Sequence, residues 1–146
     1  MSATTPQRPL PTVVGPTENA LRALLMRLLA TTPLDSYRQW AALNLVDRHT
    51  GDHKALVGLV VEALGVDDTD VGTILRTLED LGLLHRVNGA WRLSPGGADL
   101  LSLERQRVAA VTARLLDGIA AADLDTAVRV LDQVRERAQE ERTRLP

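Results

Sequence analysis

A mainly α fold, a winged helix-turn-helix with a short two-stranded wing flanked by N- and C-terminal dimerisation helices, is what three observations in this sequence predict. Val71, Ile74, Leu78 and Leu81 recur at spacings of three and four and Gly82 closes the run, the pattern of an amphipathic helix with a left-handed stop. Asn88-Gly89 stands between two short strand-like runs, and both residues suit the positive φ angles of a two-residue type I′ hairpin. Leucine- and valine-rich helical stripes precede and follow this unit.

In chain order, residues 1–16 carry Pro6, Pro9, Pro11 and Pro16 among Thr, Ser and Gln, and are expected to form a flexible N-terminal arm. The remainder, 17–146, reads as one domain, with the winged helix-turn-helix at 34–94 and dimerisation helices at 17–30 and 95–142. Thr17 suits an N-cap, and Leu21, Leu24, Leu25, Leu28 and Leu29 make a dense stripe. Thr31-Thr32-Pro33 breaks that helix, and Asp35 or Ser36 caps the next, through Tyr37, Trp40 and Leu43 to about Arg48. His49 to Lys54 reads as a loop, and Ala55 to Leu64 as a short helix stopped by Gly65. Asp68 or Thr69 then caps the recognition helix, with Asp70 favourable at the positive end of its dipole. After the hairpin, Ser94-Pro95 is a strong helix start, with Ser at the cap and Pro at the first position. Leu101, Val108, Val111, Leu115 and Ile119 lie near heptad spacing, as do Leu124, Ala127, Leu131, Val134 and Ala138 in a last helix beginning near Ala122.

Composition narrows the function classes. Phe is absent and Trp40, Trp91 and Tyr37 are the aromatic residues, so packing rests on Leu, Val and Ala. Absence of cysteine excludes disulfides, thiolate redox sensing and cysteine-based zinc sites. The apolar runs are far short of the roughly 18 residues that span a bilayer, and a cytoplasmic protein without membrane contact is expected. A formal net charge of −2 means that any nucleic-acid contact must come from locally clustered arginines. His49, His53 and His85 show no metal spacing, and the sequence holds no Ser/His/Asp set, phosphate-binding glycine loop or paired catalytic carboxylates, so neither an enzyme nor a cofactor or metal is expected.

The order of elements resembles the MarR family of bacterial winged helix-turn-helix transcriptional regulators. The resemblance is carried by Leu34, Trp40 and Leu43, by Ala63-Leu64-Gly65-Val66, by Leu78 through Arg86, and by Leu93-Ser94-Pro95-Gly96-Gly97 after the wing. It implies a homodimer that binds double-stranded DNA at a pseudo-palindromic operator, as a repressor. It also implies a small aromatic or anionic effector in a cleft near Tyr37, Arg38 and Trp40. Surplus apolar surface places the dimer interface at Leu21, Leu24, Leu25, Leu28, Val111, Leu115, Leu131 and Val134.

Candidate DNA-binding residues follow from the recognition helix and the hairpin. Arg76 faces away from Ile74 and Leu78, where it can donate two hydrogen bonds to a guanine or pair with Asp80 one turn on. Thr69 and Thr73 suit base or phosphate contact, and Arg86 and Arg92 lie on neighbouring hairpin strands. Two features depart from the family pattern: the wing is too short to enter the minor groove, and Asp67, Asp68, Asp70, Glu79 and Asp80 outnumber Arg76. They keep a second class open, a winged-helix protein with weak or no DNA binding that acts through protein–protein interaction.

Overall fold

The computed structural model describes residues 8–49 and 51–146. Helix α1 spans Leu10–Leu28, followed by a 3₁₀ turn at Leu29–Thr31, α2 at Tyr37–Arg48, α3 at His53–Leu64, α4 at Asp68–Asp80, strands β1 (Leu84–Val87) and β2 (Ala90–Leu93), α5 at Pro95–Leu116 and α6 at Ala121–Arg144. A mainly α winged helix-turn-helix with a short two-stranded wing is therefore the observed class. Packing divides the chain into two compact units, residues 1–109 and 110–146.

The expected arm is the first correction. Residues 10–16 are helical, and what remains of the arm before residue 8 lies outside the described residues. Thr17 caps nothing; its hydroxyl donates to the Val13 carbonyl at 2.7 Å from inside α1. Pro11 in the first turn removes an amide that would have no intrahelical partner, while Pro16 does sit inside the helix. Leu10 and Val14 extend the stripe of Leu21 at helical spacing, so the apolar periodicity continues through the prolines. The stripe buries nothing in α1 itself, whereas Leu29 in the following turn is fully buried.

Ser36 caps α2, accepting from the Gln39 amide, and Asp52 caps α3, accepting from the Ala55 amide at 2.8 Å. The expected loop from His49 thus ends two residues early, with His53 already helical. Gly65 closes α3 at φ 63°, a left-handed conformation that favours glycine.

Asp67, not Asp68 or Thr69, caps α4, its carboxylate accepting from the Asp70 amide at 2.8 Å. The buried side of α4 is Val71, Leu75 and Leu78, with Ile74 half-buried. Leu81, expected on that side, is the C-cap and is exposed. The Gly82 amide donates to the Glu79 carbonyl and the Leu83 amide to Leu78, both at 2.9 Å, with Gly82 at φ 76°. This paired closure turns the chain out of the helix at Leu81 and carries its side chain off the stripe.

Asn88 at φ 51° and Gly89 at φ 77° form the expected tight turn, which fixes the antiparallel register Leu84↔Leu93, His85↔Arg92, Arg86↔Trp91 and Val87↔Ala90. Trp91 is buried, and its indole N–H donates to Nδ1 of His53 at 3.1 Å, fastening the wing to the start of α3. His53, read from sequence as a loop or surface histidine, is a structural acceptor.

Ser94 begins α5 as expected: its hydroxyl accepts from the Gly97 amide at 2.9 Å and donates to the Gly82 carbonyl, while its own amide donates to the Leu83 carbonyl at 3.0 Å. One serine thereby binds the end of α4, the entry to the wing and the first turn of α5. Leu29, Leu43, Val60, Val71, Leu75, Leu78 and Leu101 are the innermost residues of the core these elements enclose. Arg105 on α5 adds a polar tie to α2, donating from Nε to Asn44 at 2.9 Å and from Nη1 to Asp47 at 2.7 Å.

In the second unit α6 buries no residue, and Leu115, Ile119, Val128, Leu131 and Val134 are exposed. No helix among the described residues is long and apolar enough to cross a membrane.

Candidate nucleic-acid interface

Helix α4 is anchored by its buried leucines, so residues on the opposite side must face outward. Thr69, Thr73, Arg76 and Asp80, spaced by four, three and four, occupy that side and are exposed. Three of the predicted DNA-binding residues are thus brought together on one surface.

Their local chemistry differs. The Thr73 hydroxyl donates to the Thr69 carbonyl at 3.2 Å, and the Thr77 hydroxyl to Thr73 at 2.9 Å, so Thr73 presents its hydroxyl oxygen outward as an acceptor. Among the described residues no ion pair involves α4, so the Arg76–Asp80 pairing allowed by the sequence is not formed. Asp67 is engaged as the cap, whereas Asp68, Asp70, Glu79 and Asp80 are exposed carboxylates that oppose approach of a polyanion.

The hairpin separates its two candidate arginines. Arg86 stands opposite Trp91, and its guanidinium carbon lies 4.3 Å from the Trp91 ring centroid, a cation–π stack. Arg92, opposite His85, projects from the other face and is half-buried, with Nη1 on the Trp91 carbonyl at 2.9 Å. Arg86 thus lies over the buried indole with its guanidinium exposed, a placement set by the register of the two-residue turn.

The residues expected around an effector fall into two neighbouring cavities. Tyr37 and Arg38 line one of about 620 Å³ together with Glu18, Arg22 and Met26 of α1. Tyr37 and Trp40 line a second of about 320 Å³ with Asn44 and Arg48. Arg38 and Trp40 do not share a space, and Trp40 belongs mostly to the core. Arg22, which sequence reasoning missed, is placed over the Tyr37 ring at 4.7 Å and held by Glu18 one turn before it. The Glu18/Arg22 spacing signals the helix pair; the approach to Tyr37 is a tertiary contact with no local signature.

Of the eight residues assigned to a dimer interface, Leu21, Leu115, Leu131 and Val134 are exposed, and Leu24, Leu25, Leu28 and Val111 are half-buried. Leu25 packs partly on the core of its own unit. Among the described residues no cluster of three His, Cys, Asp or Glu side chains could hold a metal ion.

No protein-family model and no curated protein matches the sequence. Solved structures do match the fold. The transcriptional regulator PA3341 superposes with a TM-score of 0.76 at 23% identity, covering 90% of this chain and 99% of that one. A MarR-family transcriptional regulator from Rhodococcus sp. RHA1 gives 0.71 at 19% identity, covering 88% and 97%. A Mycobacterium tuberculosis MarR-family protein, Rv2887, solved in complex with DNA, gives 0.69 at 22% identity, covering 88% and 98%; the same protein is also solved with salicylic acid. Helix order, the capped and glycine-closed α4, the stub wing and these superpositions agree on one architecture: the chain has the winged helix-turn-helix fold of the MarR-family regulators.

Proposed function

We propose that this protein is a MarR-type transcriptional regulator, a cytoplasmic homodimer that represses by binding a pseudo-palindromic DNA operator. The observation that carries the reading is the outward side of α4, where Thr69, Thr73 and an unpaired Arg76 are exposed together; the similarly folded Rv2887 is solved in complex with DNA. The exposed apolar residues Leu21, Leu115, Leu131 and Val134 support the dimer, since a two-fold interface is self-complementary and would cover each patch with its copy. Two-fold symmetry sets the half-sites roughly 34 Å apart, one turn of DNA. The acidic residues of α4 favour the second reading, docking of a basic protein partner without DNA.

Light scattering and duplex titration separate the readings. The regulator is expected to show the dimer mass at micromolar concentration, and an affinity for random duplex that falls steeply as salt rises, because each neutralised phosphate releases counterions. A monomer mass, or no salt-dependent retention of duplex, would leave the protein-interaction reading as the better one.

An effector site belongs to the same proposal. The larger cavity combines Tyr37 with Arg38 and with Arg22, which is paired to Glu18, and Asp35 also lines it. Arg38 is the cation left for the carboxylate of a small aromatic acid stacked at Tyr37; Rv2887 is solved with salicylic acid. In a Trp91→Phe background the remaining Trp40, in the adjoining cavity, is expected to report salicylate binding by a saturable change in emission. A flat emission trace, with equilibrium dialysis showing no uptake, would remove the pocket from the account.

A further inference from the structure

Gly72 is a helix-interior glycine that the fold does not require. Its φ is not positive, and the sole neighbour within 4 Å of a Cβ built there is Nη2 of Arg76, at 3.8 Å. Glycine in a helix interior weakens the helix relative to alanine, and neither backbone geometry nor core packing requires it here. Long helical side chains lean back over the residue four positions earlier, and here the Arg76 guanidinium reaches back to the bare backbone of Gly72 and away from Asp80. The same geometry explains why Arg76 and Asp80 form no ion pair.

We propose that Gly72 is a positioning residue for Arg76, the absence of side-chain atoms beyond a Cβ leaving the trough in which the guanidinium lies when α4 meets a base pair. The inference rests on the DNA-reading role proposed for Arg76 and names what sets its reach. A single methyl at position 72 would stand at ordinary van der Waals distance and is tolerated. Any larger side chain would occupy the space of the guanidinium and lift it toward Thr69 or outward.

The test is a double-mutant cycle on a duplex enriched from a random pool. Gly72→Ala is expected to raise Tm and leave affinity within about twofold, since alanine has the higher helix propensity and the contact is not a clash. Gly72→Leu, also a good helix former, is expected to keep the circular dichroism of the wild type and to weaken the enriched site at least about tenfold, within the range of one lost bidentate contact. In an Arg76→Ala background the same Gly72→Leu change is expected to have no further effect, and preference at the base pair read by Arg76 is already gone. Unchanged affinity in Gly72→Leu, or an equal loss with and without Arg76, would overturn the trough while leaving DNA binding intact. A wild type that enriches no duplex would instead remove the DNA reading and the inference with it.

Discussion

Gly97→Ala is expected to destabilise the protein by about 3 to 5 kcal/mol, enough to unfold a large fraction of a marginally stable domain. A Cβ at this position would stand 2.0 Å from the Leu83 carbonyl oxygen and 2.9 Å from its carbon, both backbone atoms with no freedom to swing aside. That same carbonyl accepts from the Ser94 amide, and the Gly97 amide donates to the Ser94 hydroxyl. Opening the gap therefore breaks the brace that joins the entry to the wing with the start of α5, and leaves buried backbone groups without partners. Gly96, its neighbour, is the control. A Cβ there would meet the Gly82 carbonyl oxygen and the Ser94 hydroxyl at 3.7 and 3.8 Å, so Gly96→Ala should change stability by less than about 1 kcal/mol, toward stabilisation. Urea unfolding followed by circular dichroism reads both; equal stability of the two variants would contradict the brace.

Leu75→Ala is expected to cost about 2 to 5 kcal/mol, the range for emptying a fully buried leucine site, because Leu75 has no exposed surface and lies among the innermost residues of the core. Leu81→Ala, at the exposed C-cap, should cost less than about 1 kcal/mol. Thermal unfolding of the pair orders them, and a larger loss at Leu81 than at Leu75 would mean that α4 seats a different face on the core.

The contrast between these two leucines also shows how far the sequence could be read. Helical spacing, a local property, puts Val71 and Leu78 on the buried face; the stripe read from sequence takes in Leu81 and passes over Leu75, and the reverse outcome depends on where the helix turns out of line. The closure at Gly82 decides it. Likewise the type I′ turn at Asn88-Gly89 and the Ser94 cap were legible because their chemistry lies within a few residues. The prolines before residue 17 do not mark an arm, since Pro11 falls in the first turn, where a helix tolerates it, and the apolar periodicity of Leu10 and Val14 carries the helix through Pro16. What stayed hidden was tertiary: Gly97 against Leu83, His53 beneath Trp91, Arg22 over Tyr37, and Arg105 reaching Asn44 and Asp47 some 60 residues away in sequence. In the candidate interface, the spacing of Thr69, Thr73 and Arg76 was enough to place them on one face. The stacking of Arg86 on Trp91 depends on strand register, which the turn length fixes and which helical or strand spacing alone does not reveal.

The central claim, that α4 reads DNA through Arg76, is tested most directly by selecting binding sites from random duplexes and titrating wild type and Arg76→Ala on the enriched site at one fixed salt concentration. The account predicts an inverted-repeat site with half-sites one helical turn apart, and a loss of about 1 to 3 kcal/mol of specific binding for Arg76→Ala, the worth of one bidentate base contact. Binding to random duplex should change far less. Failure to enrich any sequence, or equal binding of the enriched site by Arg76→Ala and wild type, would contradict it.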